Sequence, residues 1–500
     1  MSWIQYERPA PFLDTIRSDR AFMALLFVVT CIVFVITSSA WPISEGRDFG
    51  RYLTNAVIDR MGDDGRLTNW LIGFFLQHDL IVLKIFLMLG YMLSVFALYY
   101  LARLFGKPIA RMTALAAILN VQIPVYLHFL CSDPFNFIGF NLWVLIVVRA
   151  IFWQKAISGA MVIGIASFLL VTIRPVNQLF ILTAALPIIC HGFTRRSITT
   201  AMTILAVFVA GVMLYSLHNY IKFNVFSLTS STGIPSYTIY HKTKTMSPAN
   251  GPASARLFFL VENHLLDKPE YKNFSVTVES FFASGNKRFH GDLVGVADEF
   301  EPGLLEKAYL ESITTHPKAI LKTIIGLMEW GLRQPFDPSL PLQCQPIALP
   351  DRSNSLSFEP PQPGQYYSNK ANQEDATPAE LIHQVNQFSE QTRIRMAAQQ
   401  PVCFLTDLFK SALFPMFPPM LWFWLLSIPL LFMYYRMEFR LLLGLLLPSG
   451  LVIGISLITQ SPWAQYRMPY DFPYILSGML GMAILLDKIM KVYHDRSFFR

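Results

Sequence analysis

The sequence predicts an all-α, multi-pass membrane bundle with an external portion of mixed α/β or irregular structure. Of the 500 residues, 53% are hydrophobic and 15% are charged, whereas soluble proteins carry about 25% charged residues. A transmembrane helix needs about 20 mostly apolar residues, and the chain contains ten candidate spans. They are residues 21–41, 80–102, 114–131, 137–152, 160–173, 179–191, 200–219, 421–435, 441–459 and 474–489.

The fifth and sixth candidate spans are separated by Arg174-Pro175. A charge in an apolar stretch is costly inside the bilayer, and proline interrupts a helix. This step therefore predicts two short helices that meet at the outer face, in preference to one long helix.

The loops between the spans have the charge pattern of a protein with both termini in the cytoplasm. Lys and Arg are enriched in short cytoplasmic loops, and every predicted inner loop is basic, as Arg195 and Arg196 illustrate. The net charge of +7 therefore reports topology and requires no nucleic-acid partner. The first span lacks a small-residue cleavage site and is expected to be retained. The short inner loops and compact tail favour a bacterial inner membrane.

Polarity divides the chain into three parts. Residues 1–220 form an N-terminal transmembrane module of about seven spans, whose outer loops are the predicted catalytic loops. Residues 221–402 form an extracytoplasmic portion, and residues 403–500 form a C-terminal module of about three spans. Within the external portion, residues 274–278 have a strand-like pattern and residues 304–330 a helical one.

The five cysteines indicate little about function. Cys344 and Cys403 both lie in the external portion, where the compartment permits a disulfide, and their pairing is left open. The other three lie in or beside spans and are expected to behave as small apolar residues. No Cys/His spacing is typical of a zinc site.

The first outer loop carries charges that topology does not explain. Outer loops are poor in Lys and Arg, yet Arg47, Asp48 and Arg51 follow the first span directly. If a helix begins near Phe49, Asp48 caps it and lies on nearly the same face as Arg51. The group is either a capped interfacial helix with a surface ion pair or a carboxylate held beside a guanidinium for chemistry.

Three further charges lie at the same predicted depth. Asp133 stands alone in a short outer loop, where Pro134 after it also suits an ordinary helix N-cap. Arg174 and Arg467 are lone cations at the outer ends of apolar spans. Guanidinium groups bind phosphate through two parallel hydrogen bonds, and carboxylates serve proton transfer. Together they predict a site for a phosphate-bearing substrate at the level of the lipid headgroups.

These motifs resemble the GT-C superfamily of glycosyltransferases that use polyprenyl-phosphate sugars, and in particular the branch of protein O-mannosyltransferases and lipid A aminoarabinose transferases. The resemblance covers both membrane regions but not the external portion. The matching motifs are Asp48-x-x-Arg51-Tyr52, Ser132-Asp133-Pro134, Arg174-Pro175, His316-Pro317 and Tyr466-Arg467-x-Pro469.

The chain departs from the family at the first motif. Many relatives have Asp-Glu there, whereas Phe49 follows Asp48, and Glu45 is the carboxylate that could substitute. If the protein uses a divalent cation (Mg²⁺ or Mn²⁺), Asp48 and Asp133 are the expected ligands. The absence of a Trp-Trp-Asp motif argues against en bloc transfer of an oligosaccharide.

The resemblance implies an inverting transfer of a sugar from a polyprenyl-phosphate donor to an extracytoplasmic lipid, glycan or protein. Asp48 would be the general base, and Asp133 would orient the acceptor. Arg51, Arg174 and Arg467 would neutralise the departing phosphate. The supporting residues would be Glu45, Arg47, Tyr52, His316 and Tyr466.

The amphipathic stretch Ile320–Trp330 has two interpretations. It lies in the interface where the polyprenyl chain enters, or it is simply a helix that rests on the membrane.

Two other classes of protein compete with the enzyme. A transporter or lipid flippase for an anionic substrate also uses intramembrane charges and broken helices, but no two halves of this chain resemble one another. A structural or assembly protein would not need both Asp133 and Arg174. Release of sugar from a labelled polyprenyl-phosphate donor would distinguish the enzyme from a transporter.

Overall fold

The computed structural model describes residues 12–40, 44–45, 65–76, 78, 80–153, 156–224, 226–228, 243–272, 276–283, 287–301, 303–334, 405, 408–459 and 464–497. These residues form a helical membrane bundle with a second, smaller helical core attached to it.

The N-terminal module contains ten helices and one pair of very short strands within the described residues. They are α1 (Phe12–Ser18), α2 (Arg20–Ala40), β1 (Ser44–Glu45), α3 (Arg66–Leu76), α4 (Leu80–Ala102), α5 (Lys107–Leu119), α6 (Gln122–Tyr126), β2 (Phe129–Leu130), α7 (Ser132–Trp153), α8 (Ala156–Ile173), α9 (Leu186–His191) and α10 (Arg195–Phe223). Residues Arg103–Phe105 and Pro175–Ala185 form 3-10 helices.

The remainder of the described chain is also helical. Its helices are α11 (Pro252–Leu260), α12 (Pro269–Lys272), α13 (Val278–Ala283), α14 (Lys287–Phe300), α15 (Leu304–Thr315), α16 (Pro317–Arg333), α17 (Phe414–Met416), α18 (Met420–Leu426), α19 (Met437–Thr459) and α20 (Asp471–Ser497). Pro248–Asn250, Ile428–Met433, Ala464–Tyr466 and Met468–Tyr470 are 3-10 helices, while Val261–Leu265 and Phe409–Leu413 are π-helical.

Within the described residues, seven helical segments are long and apolar enough to cross a membrane, which confirms that the chain is an integral membrane protein. They are Arg20–Ala40, Ile81–Phe105, Ser132–Phe152, Arg195–Phe223, Ser411–Met433, Met437–Leu457 and Ala464–Met490. The other three predicted spans coincide with shorter or interrupted helices. Ile157–Ile173 and Pro175–His191 are short apolar helices, and the predicted span 114–131 is divided between α5 and α6. The total of ten spans stays a prediction.

The chain breaks at Arg174-Pro175 as predicted. Helix α8 ends at Ile173, and Arg174 has an extended backbone (φ −147°, ψ 116°) before the 3-10 helix begins. A residue before proline is driven out of the helical region by the proline ring, which explains the break. The end of the bundle at which Arg174 lies is called the Arg174 end below, and the opposite end, where α10 begins, is called the Arg196 end.

Close packing of α8 against α10 depends on two glycines. A Cβ atom on Gly164 would lie 2.8 Å from Val207, and one on Gly211 would lie 2.6 Å from the Phe168 ring. Both distances are shorter than real contacts. Small residues allow helices in a membrane to approach closely and gain packing energy.

The described part of the external portion is helical and has its own core. Buried residues of α11, α13, α14 and α15 pack together, with Leu257, Phe281, Ala297 and Tyr309 among them. Within residues 276–278 the predicted strand does not form, because Val278 begins α13. Residues 274 and 275 lie outside the described part of the chain. Val276 and Val278 pack against this core, so tertiary packing overrides their strand preference.

Helix α16 joins the external core to the membrane bundle. Ile320 and Leu327 belong to the external core, whereas Met328 packs against the bundle. A Cβ atom on Gly331 would lie 2.7 Å from the Leu457 side chain of α19. The helix begins at Pro317, directly after His316. It exposes Leu321, Ile325 and Trp330 on another face.

Candidate functional site

Asp133 and Arg174 form a buried ion pair at the Arg174 end. The Arg174 guanidinium donates to Asp133 Oδ1 at 2.6 Å, and the side chains are 13% and 6% exposed for Arg174 and Asp133 respectively. The sequence predicted a common depth for these residues, and the structure brings them into contact. A buried ion pair of this kind is stable only when its geometry and further hydrogen bonds are good.

Aromatic and polar neighbours complete the surroundings of this pair. The Arg174 guanidinium lies over the Tyr466 ring, 4.8 Å from its centroid, which is a cation–π distance. Cys131 Sγ lies 3.5 Å from Asp133 Oδ2 and donates to it. The loops around Asp133 and Tyr466 are far apart in sequence and were predicted to lie at a similar depth. They meet at Arg174.

A second buried network lies one helical turn away from the ion pair. Asn136 Nδ2 donates to the Tyr470 hydroxyl at 2.8 Å, and that hydroxyl donates to Asn177 Oδ1 at 2.5 Å. The Asn177 amide donates in turn to Asn136 Oδ1 at 2.8 Å and also to the carbonyl oxygen of Leu170. All three side chains are fully buried. The network connects α7, the 3-10 helix after Arg174 and the 3-10 helix that precedes α20.

The first outer loop attaches to the same end of the bundle at both of its described ends. Ser44 and Glu45 pair in parallel with Phe129 and Leu130, immediately before Asp133. At the other end, Thr68 Oγ1 donates to the Ile173 carbonyl at 2.8 Å. The intervening loop is therefore anchored on one side next to Asp133 and on the other side next to Arg174.

Several residues predicted for the site belong to this loop but lie outside the described residues. They are Arg47, Asp48, Arg51 and Tyr52, and of Glu45 only the backbone is described. Their roles, including that of Asp48 as the base, stay predictions.

Arg467 is not a lone cation, so that part of the sequence interpretation is wrong. Arg467 donates to Asp471 Oδ2 at 2.5 Å, and both side chains are almost completely buried. It also donates to the Gln334 carbonyl at 3.1 Å, directly after α16. The pair fixes the end of α16 to the start of α20. A role of Arg467 in binding phosphate stays a prediction.

His316 and Gln465 each make a hydrogen bond to another segment of the chain. His316 Nε2 lies 3.1 Å from Asn250 Oδ1 in the external portion. The Tyr126 hydroxyl donates to Gln465 Oε1 at 2.9 Å, which connects α6 to the loop that carries Tyr466. His316 is therefore a residue of the external core's edge, away from the Asp133–Arg174 contact.

His128 is a residue of this end that sequence reasoning missed. Its side chain is fully buried, and its ring centroid lies 5.0 Å from that of Phe34. Neither ring nitrogen has a hydrogen-bond partner among the described residues. Buried polar groups normally have partners. It lies just before β2, to which the first outer loop is attached. A histidine inside an apolar run has no pattern that would distinguish it.

The described residues do not make a metal site. No group of three or more His, Cys, Asp or Glu side chains comes together within the described part of the chain. Both oxygens of Asp133 already accept hydrogen bonds, from Arg174 and Cys131. A divalent cation at Asp133 would have to replace these bonds. Asp48, the other expected ligand, lies outside the described residues, so the use of a cation stays a prediction.

The polar residues that sequence reasoning missed share a simple spacing. Asn136 follows Asp133 by three residues, Asn177 follows Arg174 by three, and Asp471 follows Arg467 by four. Residues three or four apart face the same side of a helix. This rule points to Asn136 and Asp471, but not to Asn177, because Arg174 has an extended backbone outside the helix.

Comparison of the chain with protein-family models, with curated proteins and with solved structures gave no match.

Proposed function

We propose that this integral membrane protein is a glycosyltransferase. It moves a sugar from a polyprenyl-phosphate donor to an extracytoplasmic acceptor, with inversion at the anomeric carbon. The observation that carries the proposal is the buried Asp133–Arg174 pair, stacked on Tyr466, at the end of the bundle where the first outer loop is anchored.

The reaction requires few groups. The acceptor hydroxyl attacks the anomeric carbon, the bond from that carbon to the phosphate oxygen breaks, and its electron pair stays on the phosphate. Asp48 takes the proton of the hydroxyl. A polyprenyl phosphate leaves readily, so a base and cations that stabilise the developing charge are the main requirements.

Arg174 is the cation with the best support for contact with the departing phosphate. Its guanidinium has five donors, and Asp133 and the face of Tyr466 hold its plane in one orientation. Donors fixed in advance stabilise charge that develops in the transition state without reorganising. Arg51 would act with it from the first outer loop. Asp133 therefore has a positioning role, through Arg174.

Helix α16 supplies a route for the lipid. Its exposed apolar residues Leu321, Ile325 and Trp330 occur together with the exposed Lys318 and Lys322, as in helices that lie in a membrane interface. Because Gln334 at its end is bonded to Arg467, a chain that lies along α16 would be led toward Tyr466.

The decisive experiment replaces the base. Purified Asp48→Asn protein in membranes with a radiolabelled polyprenyl-phosphate sugar is expected to release no sugar above background while expressing and melting like the unchanged protein. The matched control is Asp14→Asn, a carboxylate in α1 at the other end of the bundle, which should keep full activity. Near-normal turnover of Asp48→Asn would show that another group is the base. Translocation of the intact donor without sugar release would favour a transporter.

A further inference from the structure

A cavity of about 230 Å³ lies at the Arg196 end, far from the Asp133–Arg174 pair. Helices α7, α8, α9 and α10 enclose it. One part of its lining is apolar, with Ala160, Ile163 and Pro187, and the other part is polar, with His191, Arg196 and Thr200. No acidic side chain among the described residues lines it. The mixture is unlike a packed core, which would be apolar throughout.

Small residues where α7 and α8 meet lie beside the cavity. Gly159 of α8 faces Ala150 of α7 so closely that a Cβ atom would lie 3.3 Å from that of Ala150. Pro187, at the start of α9, is a compact side chain that lines the same space. The two helices therefore meet at small residues and leave space beside them, next to the start of α10.

The polar side of the cavity is suited to an anion. Helix α10 begins after Thr194, whose Oγ1 accepts the Ser197 N–H at 3.1 Å, and it is 29 residues long. The first N–H groups of a helix have no acceptor within it, and its dipole favours negative charge there. The exposed Arg196 lies at the same rim. The Thr200 hydroxyl beside it donates to the Arg196 carbonyl at 2.8 Å, so Arg196 and the start of α10 are the groups that would face an anion.

The apolar side is suited to hydrocarbon. Met161 of α8 and Met202 of α10 are 45% and 57% exposed, so apolar side chains continue from the cavity along both helices. Phe193, in the turn before α10, is 86% exposed, as is typical of an aromatic residue at the membrane interface. A free phosphate ion would use the rim alone and leave the apolar lining empty.

We infer that this cavity binds the headgroup of an acidic phospholipid. The phosphate lies against Arg196 and the start of α10, the glycerol portion fills the apolar part, and the acyl chains follow α8 and α10. The basic loops at this end are those expected to be cytoplasmic, so the lipid would come from the inner leaflet. The inference does not depend on the proposed enzyme activity.

Native mass spectrometry of the full chain in detergent tests this inference. Dioleoylphosphatidylglycerol should bind at least about fivefold more tightly than dioleoylphosphatidylcholine, since an Arg near an anionic headgroup contributes about 1 kcal/mol. Arg196→Ala should remove this preference. Thr200→Leu should weaken binding of phosphatidylglycerol, because the larger leucine side chain would project into the cavity. The matched control is Arg195→Ala, which removes an equal charge one residue away and should change binding less than about twofold.

Three results would overturn the inference. Equal binding of the two lipids to the unchanged protein would show that there is no headgroup preference. Equal losses in Arg195→Ala and Arg196→Ala would show that diffuse surface charge, and not the cavity, attracts the lipid. Unchanged binding in both Arg196→Ala and Thr200→Leu would show that the lipid binds elsewhere. Arg196 is exposed, so its replacement should leave folding intact, and the melting temperature checks this.

Discussion

Gly65 packs directly against the carbonyl group of Ile173, the last residue of α8. A Cβ atom at Gly65 would lie 2.1 Å from the Ile173 oxygen and 2.3 Å from its carbonyl carbon. Both are backbone atoms, so they cannot rotate away as a side chain would. The contact places the end of the first outer loop next to Arg174, and only glycine permits it.

Gly65→Ala is therefore expected to displace the loop from α8. Overpacking typically costs about 1–3 kcal/mol, and the Thr68 hydrogen bond to Ile173 should be lost with it. We expect a lower melting temperature in detergent. We also expect at least a tenfold loss of sugar transfer, which corresponds to about 1.4 kcal/mol in the activation free energy.

The matched control for this change is Gly326→Ala in α16, where a Cβ atom would meet nothing within 4 Å. Alanine in an exposed helix interior should stabilise the protein slightly, by about 0.5–1 kcal/mol. Equal behaviour of the two variants would show that the contact between Gly65 and Ile173 has no special role.

The Asp133–Arg174 pair should contribute to stability as well as function. Removal of one partner of a buried ion pair leaves an uncompensated charge and typically costs about 3–5 kcal/mol. Asp133→Asn and Arg174→Gln are each expected to lower the melting temperature markedly. The double variant should recover much of that loss, because it leaves no buried charge, but it should remain inactive in sugar transfer. Additive losses in the double variant would contradict the ion pair as the source of the effect.

The bundle could be predicted from the sequence because its signals are local. Apolar length predicted the spans, and Arg174-Pro175 predicted the break between α8 and the following 3-10 helix. Charge in apolar surroundings also identified Asp133 and Arg174 as one site. These features depend on the solubility of single residues and need no knowledge of packing.

The rest of the site could not be predicted because it depends on packing between distant segments. Arg467 was interpreted as a lone cation, but Asp471 and Gln334 hold it in the structure. Gln334 lies more than a hundred residues earlier in the chain than Arg467, so the sequence around Arg467 does not reveal this contact. Asn136, Asn177 and Tyr470 are uncharged and give no hydropathy signal, although their network connects three segments.

Tyr470→Phe tests whether the hydrogen bonds of this network have a role beyond core packing. It removes one hydroxyl and leaves Asn136 and Asn177 each without one partner, which typically costs about 1–3 kcal/mol. Because the network holds Asn177 and thereby the backbone after Arg174, we expect a loss of sugar transfer that persists well below the melting temperature.

Tyr474→Phe is the matched control for this prediction. The Tyr474 hydroxyl donates to the Leu446 carbonyl at 2.8 Å, one turn farther along α20 and away from Arg174. Both variants should lose some thermal stability, but only Tyr470→Phe should lose transfer activity at a temperature where both are folded. A parallel loss of activity in the two variants would indicate a general effect of destabilising α20.

The pH dependence of stability should reveal an ion pair at the Arg196 end. Asp19 accepts hydrogen bonds from Arg111 Nη2 at 2.5 Å and from the Tyr99 hydroxyl at 2.7 Å. The hydrogen bond from Arg111 is the main reason why the pKa of Asp19 lies below its ordinary value of 3.8, and burial opposes it. A carboxyl group whose pKa is lower in the folded state stabilises that state above its unfolded pKa. The contribution disappears as the pH falls through the folded pKa.

We therefore expect the melting temperature to fall as the pH decreases from about 4, and Asp19→Asn to lower it at pH 7 while weakening its dependence on acid pH. The control is Asp14→Asn, since Asp14 pairs with Arg17 at 3.8 Å with both side chains more than half exposed, and exposed pairs contribute little. Melting curves from pH 7 to pH 3 measure both effects. An acid-induced loss of equal size in Asp19→Asn and in the unchanged protein would assign the pH dependence to other carboxylates, because asparagine cannot titrate.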